Sequence, residues 1–155
     1  MKWAFIVVLI ACVYEGVAMV RRHLVQDARL PAKLHEKGMI CAGQNLPLRI
    51  SDLTDYDWDR VCLCCPYASE TSIESVLGFK WSSANTRNLE MGKTFHVLLF
   101  VKDDKVIREA RLGRDLADFK VTNSVCVFLR GEDSFVVSKD ADGSARLVYT
   151  LAPRR

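Results

Sequence analysis

The chain has 155 residues, half of them hydrophobic and 26% charged, which is the size and balance of one globular domain with a buried core. This composition excludes an intrinsically disordered chain, which carries fewer apolar residues. The formal net charge is only +3, and no run of lysine and arginine with interleaved aromatic residues occurs. We therefore expect no nucleic-acid partner.

The N-terminus carries the strongest targeting signal of the chain. Lys2 is followed by an uninterrupted apolar run over residues 3–14, and the first acidic residue is Glu15. Such a run is typical of a segment that enters a lipid bilayer or a translocon. We predict that residues 1–20 are a signal peptide or a membrane anchor and that the protein is located at the cell membrane or in the cell envelope.

Three fates of this segment stay open, beside a buried core helix. A small-x-small pattern ending at Ala18 suits cleavage by a signal peptidase, and residues 9–12 resemble a lipobox in which Cys12 would be lipidated. Alternatively, residues 3–20 are retained as a single-pass signal anchor, because a helix of this length rises roughly 27 Å, close to the thickness of the hydrocarbon layer. The basic residues on its two flanks leave the orientation open.

Residues 21–45 are interpreted as a connecting segment. Helical spacing begins at Leu24, but Pro31 is expected to interrupt the helix and Gly38 to end it. No repeat, low-complexity tract or internal boundary follows. Residues 46–155 are therefore predicted to form a single α+β domain.

The first half of this domain is predicted to contain two strands and a helix. Residues 46–50 alternate like an edge strand, where a proline is tolerated, and the apolar residues 61–65 are typical of an inner strand. The pattern of residues 69–78 predicts a short helix that Ser69 or Thr71 caps and Gly78 ends. The apolar face of this helix should pack on the core.

The second half is predicted to be rich in β-structure. Residues 94–101 and 105–112 flank an Asp-Asp pair, and residues 124–130 and 134–138 flank a Gly-Glu-Asp turn, each of which indicates a hairpin. A further turn leads into residues 145–151. Short turns join antiparallel strands. The predicted fold class is thus α+β: an antiparallel β-meander sheet packed by one or two short helices and preceded by an N-terminal hydrophobic helix.

Three short motifs between residues 46 and 130 carry a resemblance to a known group of proteins. The motifs are Asp57-Trp58-Asp59, Pro66-Tyr67 and Leu77-Gly78-Phe79-Lys80-Trp81. In this order, with a strand and a short helix between them, the chain resembles small, uncharacterised bacterial envelope proteins that carry an N-terminal signal or anchor. The resemblance implies an envelope location, and it implies no activity.

Cys65 offers the sharpest catalytic hypothesis. It is followed by Pro66 and Tyr67 at the junction of the predicted strand and helix, and it resembles the glutaredoxin active site Cys-Pro-Tyr-Cys with the second cysteine lost. A helix N-terminus stabilises a thiolate and lowers the pKa of a cysteine. The predicted helix is short, however, and no cis-proline motif follows, so buried structural cysteines are the alternative.

Two patterns resemble metal sites, and each is incomplete. Cys62 and Cys65 have the spacing of one zinc knuckle, but a second knuckle is missing and the two residues face opposite sides of a strand. The alternating aspartates before this strand resemble the start of a calcium loop, but the glycine and the final glutamate of such a loop are missing. We therefore expect no metal ion and no cofactor.

Trp58, Tyr67 and Trp81 bracket the predicted strand and helix, and Asp57 and Asp59 lie beside the first of them. These five residues form the candidate binding patch, because exposed aromatic side chains often carry binding energy. The alternative is that the aromatic residues pack in the core, since they bury the largest apolar area.

The leading functional hypothesis is a membrane-associated or exported interaction or structural module that is not an enzyme. It rests on the N-terminal segment and on the lack of a recognisable hydrolase motif or phosphate-binding glycine loop. Its partners would be the membrane, through the N-terminal segment, and a protein. The alternative is a thiol-dependent redox protein that uses Cys65.

Overall fold

A computed structural model of the protein describes residues 25–89, 92, 94–141 and 146–152. Within these residues two β-sheets and a few helices form an α+β protein, which confirms the α+β part of the predicted fold. Most strand pairs are antiparallel, as expected, but two are parallel. The predicted N-terminal hydrophobic helix lies outside the described residues.

The described strands and helices follow one another along the whole domain. The strands are β1 (Val25–Gln26), β2 (Pro47–Arg49), β3 (Arg60–Cys64), β4 (Phe95–Lys102), β5 (Lys105–Gly113), β6 (Ala117–Lys120), β7 (Val125–Leu129), β8 (Ser134–Lys139) and β9 (Leu147–Leu151). The helices are α1 (Leu30–Gln44), α2 (Glu70–Leu77) and α3 (Ala84–Leu89), with a 3₁₀ turn at Ile50–Leu53. Sheet A has the strand order β1-β5-β4-β3-β7, and sheet B has the order β2-β8-β9-β6.

Helix α1 begins where the sequence predicted an interruption. Pro31 occupies the first turn, where its missing N–H group is no loss, and the helix continues through Gly38. The predictions that Pro31 interrupts the helix and that Gly38 ends it were therefore wrong. Tertiary packing explains the difference, because Leu30 and Leu34 are fully buried in the core. Part of the predicted connecting segment thus packs on the sheets.

The main core lies between the two sheets. Val61 and Phe100 of sheet A belong to the same apolar cluster as Phe135 and Tyr149 of sheet B. Helix α1 packs against β8 and β5 and covers one side of this cluster. The Tyr149 hydroxyl donates a hydrogen bond of 2.9 Å to the Leu34 carbonyl, which ties sheet B to the helix.

A second core covers the opposite face of sheet A. Ile73 and Leu77 from α2 and Leu89 from α3 are buried in it. The buried carboxylate of Glu109 on β5 accepts a hydrogen bond from the Asn85 amide on α3, whereas its other oxygen has no partner among the described residues. Sheet A is therefore largely apolar on both faces, and this polar pair joins α3 to β5.

Several local predictions are confirmed. Residues 47–49 form an edge strand of sheet B, and β3 lies inside sheet A between β4 and β7. The β4–β5 hairpin turns at Asp103 and Asp104, both with positive φ angles of 47° and 54°, as a two-residue hairpin turn requires. Helix α2 is capped by Ser69, whose hydroxyl accepts the Ser72 N–H, and it ends at Gly78 with φ of 81°.

The prediction of a single meander was wrong. The segment 131–133 does not form a hairpin between β7 and β8: β7 pairs with β3 in sheet A, and β8 pairs with β2 and β9 in sheet B. The reason lies at Asp133, which is fully buried and accepts hydrogen bonds from the backbone N–H groups of Ser51 and Gly131. These hydrogen bonds hold residues 131–133 against the start of the 3₁₀ turn at Ile50–Leu53. The chain after Asp133 therefore enters sheet B instead of returning beside β7.

Candidate functional site

The five residues of the candidate binding patch are not all at the surface. Trp58 is 1% exposed, contacts Phe100 edge to face at 5.6 Å, and donates through Nε1 to the Thr54 hydroxyl at 2.9 Å. Trp81 is half-buried and packs against the second core. Tyr67 is 52% exposed. Trp58 is therefore a core residue, as the alternative interpretation expected, and it offers no surface for a partner.

Asp57 and Asp59 are at the surface, but basic side chains already contact both of them. The Lys102 ammonium lies 2.7 Å from Asp59 and 3.1 Å from Asp57, and Arg130 lies 3.2 Å from Asp57. The hydrogen bond from Lys102, followed by that from the Asp103 N–H, lowers the pKa of Asp59 below its usual value. These carboxylates form a surface ion-pair network rather than an open anionic site.

Strand β3 separates the members of the proposed patch. Asp57 and Asp59 precede this strand, whereas Tyr67 follows its end. A strand of this length spans roughly 17 Å at about 3.4 Å per residue. The structure thus brings the two aspartates together but places Tyr67 at the other end of the strand.

Cys65 lies in a tight turn, not at a helix N-terminus. The Ala68 N–H donates to the Cys65 carbonyl at 3.1 Å, and Tyr67 has a positive φ of 66°, which is the pattern of a type II turn with Pro66 in its second position. Helix α2 starts only at Glu70. Four residues therefore separate Cys65 from the first residue of the helix, so Cys65 does not occupy the helix N-terminus that the redox hypothesis requires.

Cys65 nevertheless has polar neighbours that the sequence did not reveal. The register pairs Cys64 with Val97, which follows His96 on the neighbouring strand, and Asp118 lies near enough to raise the pKa of Cys65. His96 is buried, and its Nε2 lies 3.1 Å from Asp118, whose carboxylate accepts two hydrogen bonds from Arg114. The other ring nitrogen of His96, Nδ1, is buried and has no partner among the described residues. Thiol, imidazole and carboxylate are the groups that cysteine hydrolases use, but among the described residues no hydrogen bond joins His96 to Cys65.

The ionisation states of this cluster weigh against catalysis. Burial, together with nearby Cys126 and Asp118, raises the pKa of Cys65 to about 12. Burial also lowers the pKa of His96, although Asp118 opposes this shift. Both groups are therefore neutral near pH 7, whereas a reactive cysteine needs a thiolate.

The backbone around Cys65 also lacks free donors for an oxyanion. Pro66 has no N–H group, the Tyr67 N–H donates to the Leu89 carbonyl at 2.9 Å, and the Ala68 N–H is used in the turn. Oxyanion stabilisation depends on such preorganised donors. The cluster is better explained as a hydrogen-bonded part of the core, and the redox alternative stays a prediction without an acidic thiol to support it.

Alkylation of Cys65 tests this interpretation. We expect iodoacetamide at pH 8 to modify Cys65 in the native protein at least about tenfold more slowly than free cysteine, with a rate that still rises above pH 9. Mass spectrometry of the native protein and of Cys65→Ser would measure the site-specific rate. A fast reaction that is already independent of pH near pH 7 would instead support the redox alternative.

His96 predicts a dependence of stability on pH. Because the pKa of His96 is lower in the folded protein than the usual 6.5, the unfolded chain binds a proton more readily. The stabilisation that depends on neutral His96 is fully present above about pH 6.5, the pKa in the unfolded chain. It decreases as the pH falls from 6.5 toward the lower pKa of His96 in the folded protein. Urea unfolding from pH 8 to pH 5 should show this loss, and His96→Gln should flatten it. An unchanged slope in the variant would assign the effect to another group.

Cys62 and Cys64 are core residues. They share one face of β3, with their sulfur atoms 3.7 Å apart, and both are fully buried. The hydrogen bond with Cys62 and burial hold the pKa of Cys64 well above its usual value. In the part of the chain that the structure describes, no group of three or more His, Cys, Asp or Glu side chains is placed to hold a metal ion.

The feature that the sequence did not predict is the open edge of β7. In an antiparallel pair, alternate residues direct their N–H and C=O groups toward the partner strand. The Cys65 N–H donates to the Ser124 carbonyl and the Arg130 N–H to the Asp59 carbonyl, so the even-numbered residues of this strand face β3. The N–H and C=O groups of Val125 and Val127 therefore point away from the sheet. Among the described residues, no strand pairs with that side.

A groove of about 280 Å³ runs beside this edge. It is lined by β7, by Glu132 and by the end of β9 and the residue after it: Asn123, Val125, Cys126, Val127, Phe128, Glu132, Leu151 and Ala152. Leu129 is 52% exposed and Leu151 41% exposed at its margins. The open edge and this groove together are called the β7 edge site.

One signal in the sequence could have indicated the β7 edge site. Residues 125–129 read Val-Cys-Val-Phe-Leu, without a charge or a proline, although edge strands usually carry such residues to prevent pairing with other chains. The prediction paired this strand with β8 and therefore did not consider it as an edge.

Within the described residues no helix is long and apolar enough to cross a membrane, and the predicted anchor at residues 1–20 lies outside them. Comparison of the chain with protein-family models, curated proteins and solved structures finds no match. The function must therefore be argued from the geometry of the chain itself.

Proposed function

We propose that this chain is an interaction module, membrane-associated or exported to the bacterial envelope through residues 1–20, that binds a protein partner at the β7 edge site. The observation that carries this proposal is that the backbone groups of Val125 and Val127 point outward and have no partner among the described residues. An extended segment added to such an edge forms main-chain hydrogen bonds, which is a common mode of peptide recognition.

The side chains around the edge support a partner that carries both apolar and polar residues. Strand β7 has no charged residue and the groove beside it exposes Leu151 next to Cys126, but Asn123 and Glu132 line the same groove. In a strand that adds to this edge, alternate side chains face the same side of the sheet. One set of them would enter the groove, so the partner should combine apolar and polar residues at these alternate positions.

The described part of the chain begins far from the β7 edge site. Val25, the first residue that the structure describes, lies in β1 at the opposite edge of sheet A from β7. Four strand spacings of about 4.8 Å separate the two edges by roughly 19 Å. A partner at β7 would therefore add at the edge that β1 does not occupy.

Site-specific photo-crosslinking in cells tests the binding surface. We expect a photoreactive phenylalanine derivative at Leu129 to crosslink a protein partner, whereas the same group at Val136, an exposed strand residue of sheet B, should not. Val127→Pro should abolish the crosslink, because it removes an outward N–H group and no hydrogen bond to β3. Equal crosslinking from both positions, or no effect of the proline, would contradict the proposed surface.

Fractionation tests the location separately. We expect the full chain in the membrane fraction, or a mature form that begins after residue 18 outside the cytosol. N-terminal sequencing and protease accessibility distinguish the anchor, the cleaved signal and the lipoprotein. An intact chain that keeps Met1 and is freely soluble in the cytosol would overturn the envelope location.

A further inference from the structure

Strand β9 leads the chain into the groove of the β7 edge site. Ala152, the residue after this strand, lines the groove, and its N–H group donates to the Ser134 carbonyl at 3.0 Å. This hydrogen bond fixes the point from which the chain continues. The next residues, 153–155, read Pro-Arg-Arg and lie outside the described residues.

The register of β8 and β9 directs this continuation toward Glu132. Leu151 pairs with Phe135, and the hydrogen bond at Ala152 extends the antiparallel ladder by one residue on each strand. Two more steps in the same direction would bring Arg154 beside Glu132. Glu132 is exposed, and it is the one acidic side chain among the described residues that line the groove. Arg154 and Glu132 thus carry opposite charges where the register brings them together.

The proline at position 153 fits this course. In an antiparallel ladder, alternate residues direct their N–H groups toward the partner strand. Because the Ala152 N–H faces β8, the position after it directs its N–H side away from β8. Pro153 therefore removes no hydrogen bond between the two segments. The distance is also within reach, since three extended residues span roughly 10 Å and Ala152 and Glu132 line one groove.

We propose that residues 153–155 form a latch that lies in the groove of the β7 edge site, with the Arg154 guanidinium paired to the Glu132 carboxylate. The inference rests on the proposed function in one respect, because a protein segment that enters the groove has to displace the latch. The latch belongs to the same chain, so its local concentration is high and it needs no large interface to occupy the groove.

Thiol trapping in the full chain tests the position of the latch without any partner. Glu132→Cys and Arg154→Cys are combined with Cys126→Ser, which removes the thiol that lines the groove. With copper phenanthroline and oxygen as the oxidant, we expect an intramolecular disulfide, because opposed residues of a hydrogen-bonded antiparallel pair have Cα atoms about 5.5 Å apart. Arg155→Cys in place of Arg154→Cys is the matched control: it faces the other side of the segment and should be trapped at least about threefold less. Mass spectrometry of the digested protein identifies the bond.

Charge exchange tests whether the latch competes with a partner. An ion pair between exposed side chains shifts an equilibrium by about 1.5- to fivefold, which is weak enough for a partner to displace the latch. We therefore expect Arg154→Glu to raise the crosslink from Leu129 to a protein partner about two- to fivefold. Glu132→Arg together with Arg154→Glu restores opposite charges and should return the crosslink to the level of the unchanged protein. Arg155→Glu, the control, should leave the crosslink unchanged.

The outcomes separate the latch from the proposed function. No disulfide, or equal trapping from positions 154 and 155, overturns the latch whether or not a partner is crosslinked from Leu129. A crosslink that Arg154→Glu leaves unchanged, or that the charge-exchanged chain does not restore, overturns the competition between latch and partner. Specific trapping from position 154 without any crosslink from Leu129 supports the latch and contradicts the protein-binding function.

Discussion

Trp58→Ala is expected to lower the free energy of unfolding by about 3–5 kcal/mol, the range for removing a large aromatic side chain from a core. Trp58 is 1% exposed, packs against Phe100 and is covered by the Arg130 guanidinium at 5.3 Å. The substitution would leave a cavity and also leave the Thr54 hydroxyl without the indole donor. Urea unfolding of the two proteins, followed by far-UV circular dichroism, measures the difference.

Tyr67→Ala is the matched control, because both aromatic residues belonged to the same predicted binding patch. Tyr67 is 52% exposed, so we expect its replacement to change the free energy of unfolding by no more than about 1 kcal/mol. Equal losses in the two variants would mean that Trp58 is not the core residue that the structure shows. If Trp58→Ala is too unstable to purify, Trp58→Phe gives a smaller loss that can be measured.

Gly38→Ala is expected to destabilise the protein by about 2–3 kcal/mol, although alanine is the better helix former. A Cβ atom at Gly38 would overlap the Tyr149 hydroxyl and lie 2.6 Å from Cδ1 of Leu147. The Tyr149 ring is fully buried and its hydroxyl is bonded to the Leu34 carbonyl, so it cannot move away at low cost. Helix α1 would have to shift away from sheet B. Thermal and urea unfolding would both report the loss.

The same helix provides the control for this substitution. Nothing lies within 4 Å of a Cβ atom placed at Gly43, so Gly43→Ala should stabilise the protein by about 0.5–1 kcal/mol through helix propensity alone. Opposite signs at the two glycines would show that close packing of α1 on sheet B, rather than the helix itself, determines the effect. A stabilising Gly38→Ala would contradict the packing of α1 described above.

In the candidate site, contacts between residues that are far apart in the chain could not be predicted from the sequence. The aspartates before β3 were predicted to lie together and do so, but the sequence could not show that Lys102 and Arg130 would contact them. The pairing of His96 with Asp118 likewise joins two strands, β4 and β6, through residues that are 22 positions apart in the chain. Neither contact leaves a local pattern, so neither could be inferred from spacing.

Local chemistry determined the elements whose interactions lie within a few residues. The Asp-Asp pair predicted the β4–β5 hairpin because a two-residue turn needs positive φ angles, and Ser69 and Gly78 predicted the limits of α2 because their capping roles are local. The alternation and apolar runs also predicted most of the strands, since they reflect which faces are buried, but β1 and β6 were not predicted. These signals are sufficient for the α+β class.

Tertiary structure alone decided which strands pair and which edge stays open. Pairing energy depends on contacts between distant segments, and an apolar strand such as β7 could satisfy its backbone against either neighbour. After β7 the buried carboxylate of Asp133 is hydrogen-bonded to Ser51, and the next strand, β8, lies in sheet B. Val125 and Val127 therefore remain at the edge of sheet A. For the same reason α1, which has Pro31 in its first turn, continues past Gly38, because burial of Leu30 and Leu34 outweighs the local preference for an end at this glycine.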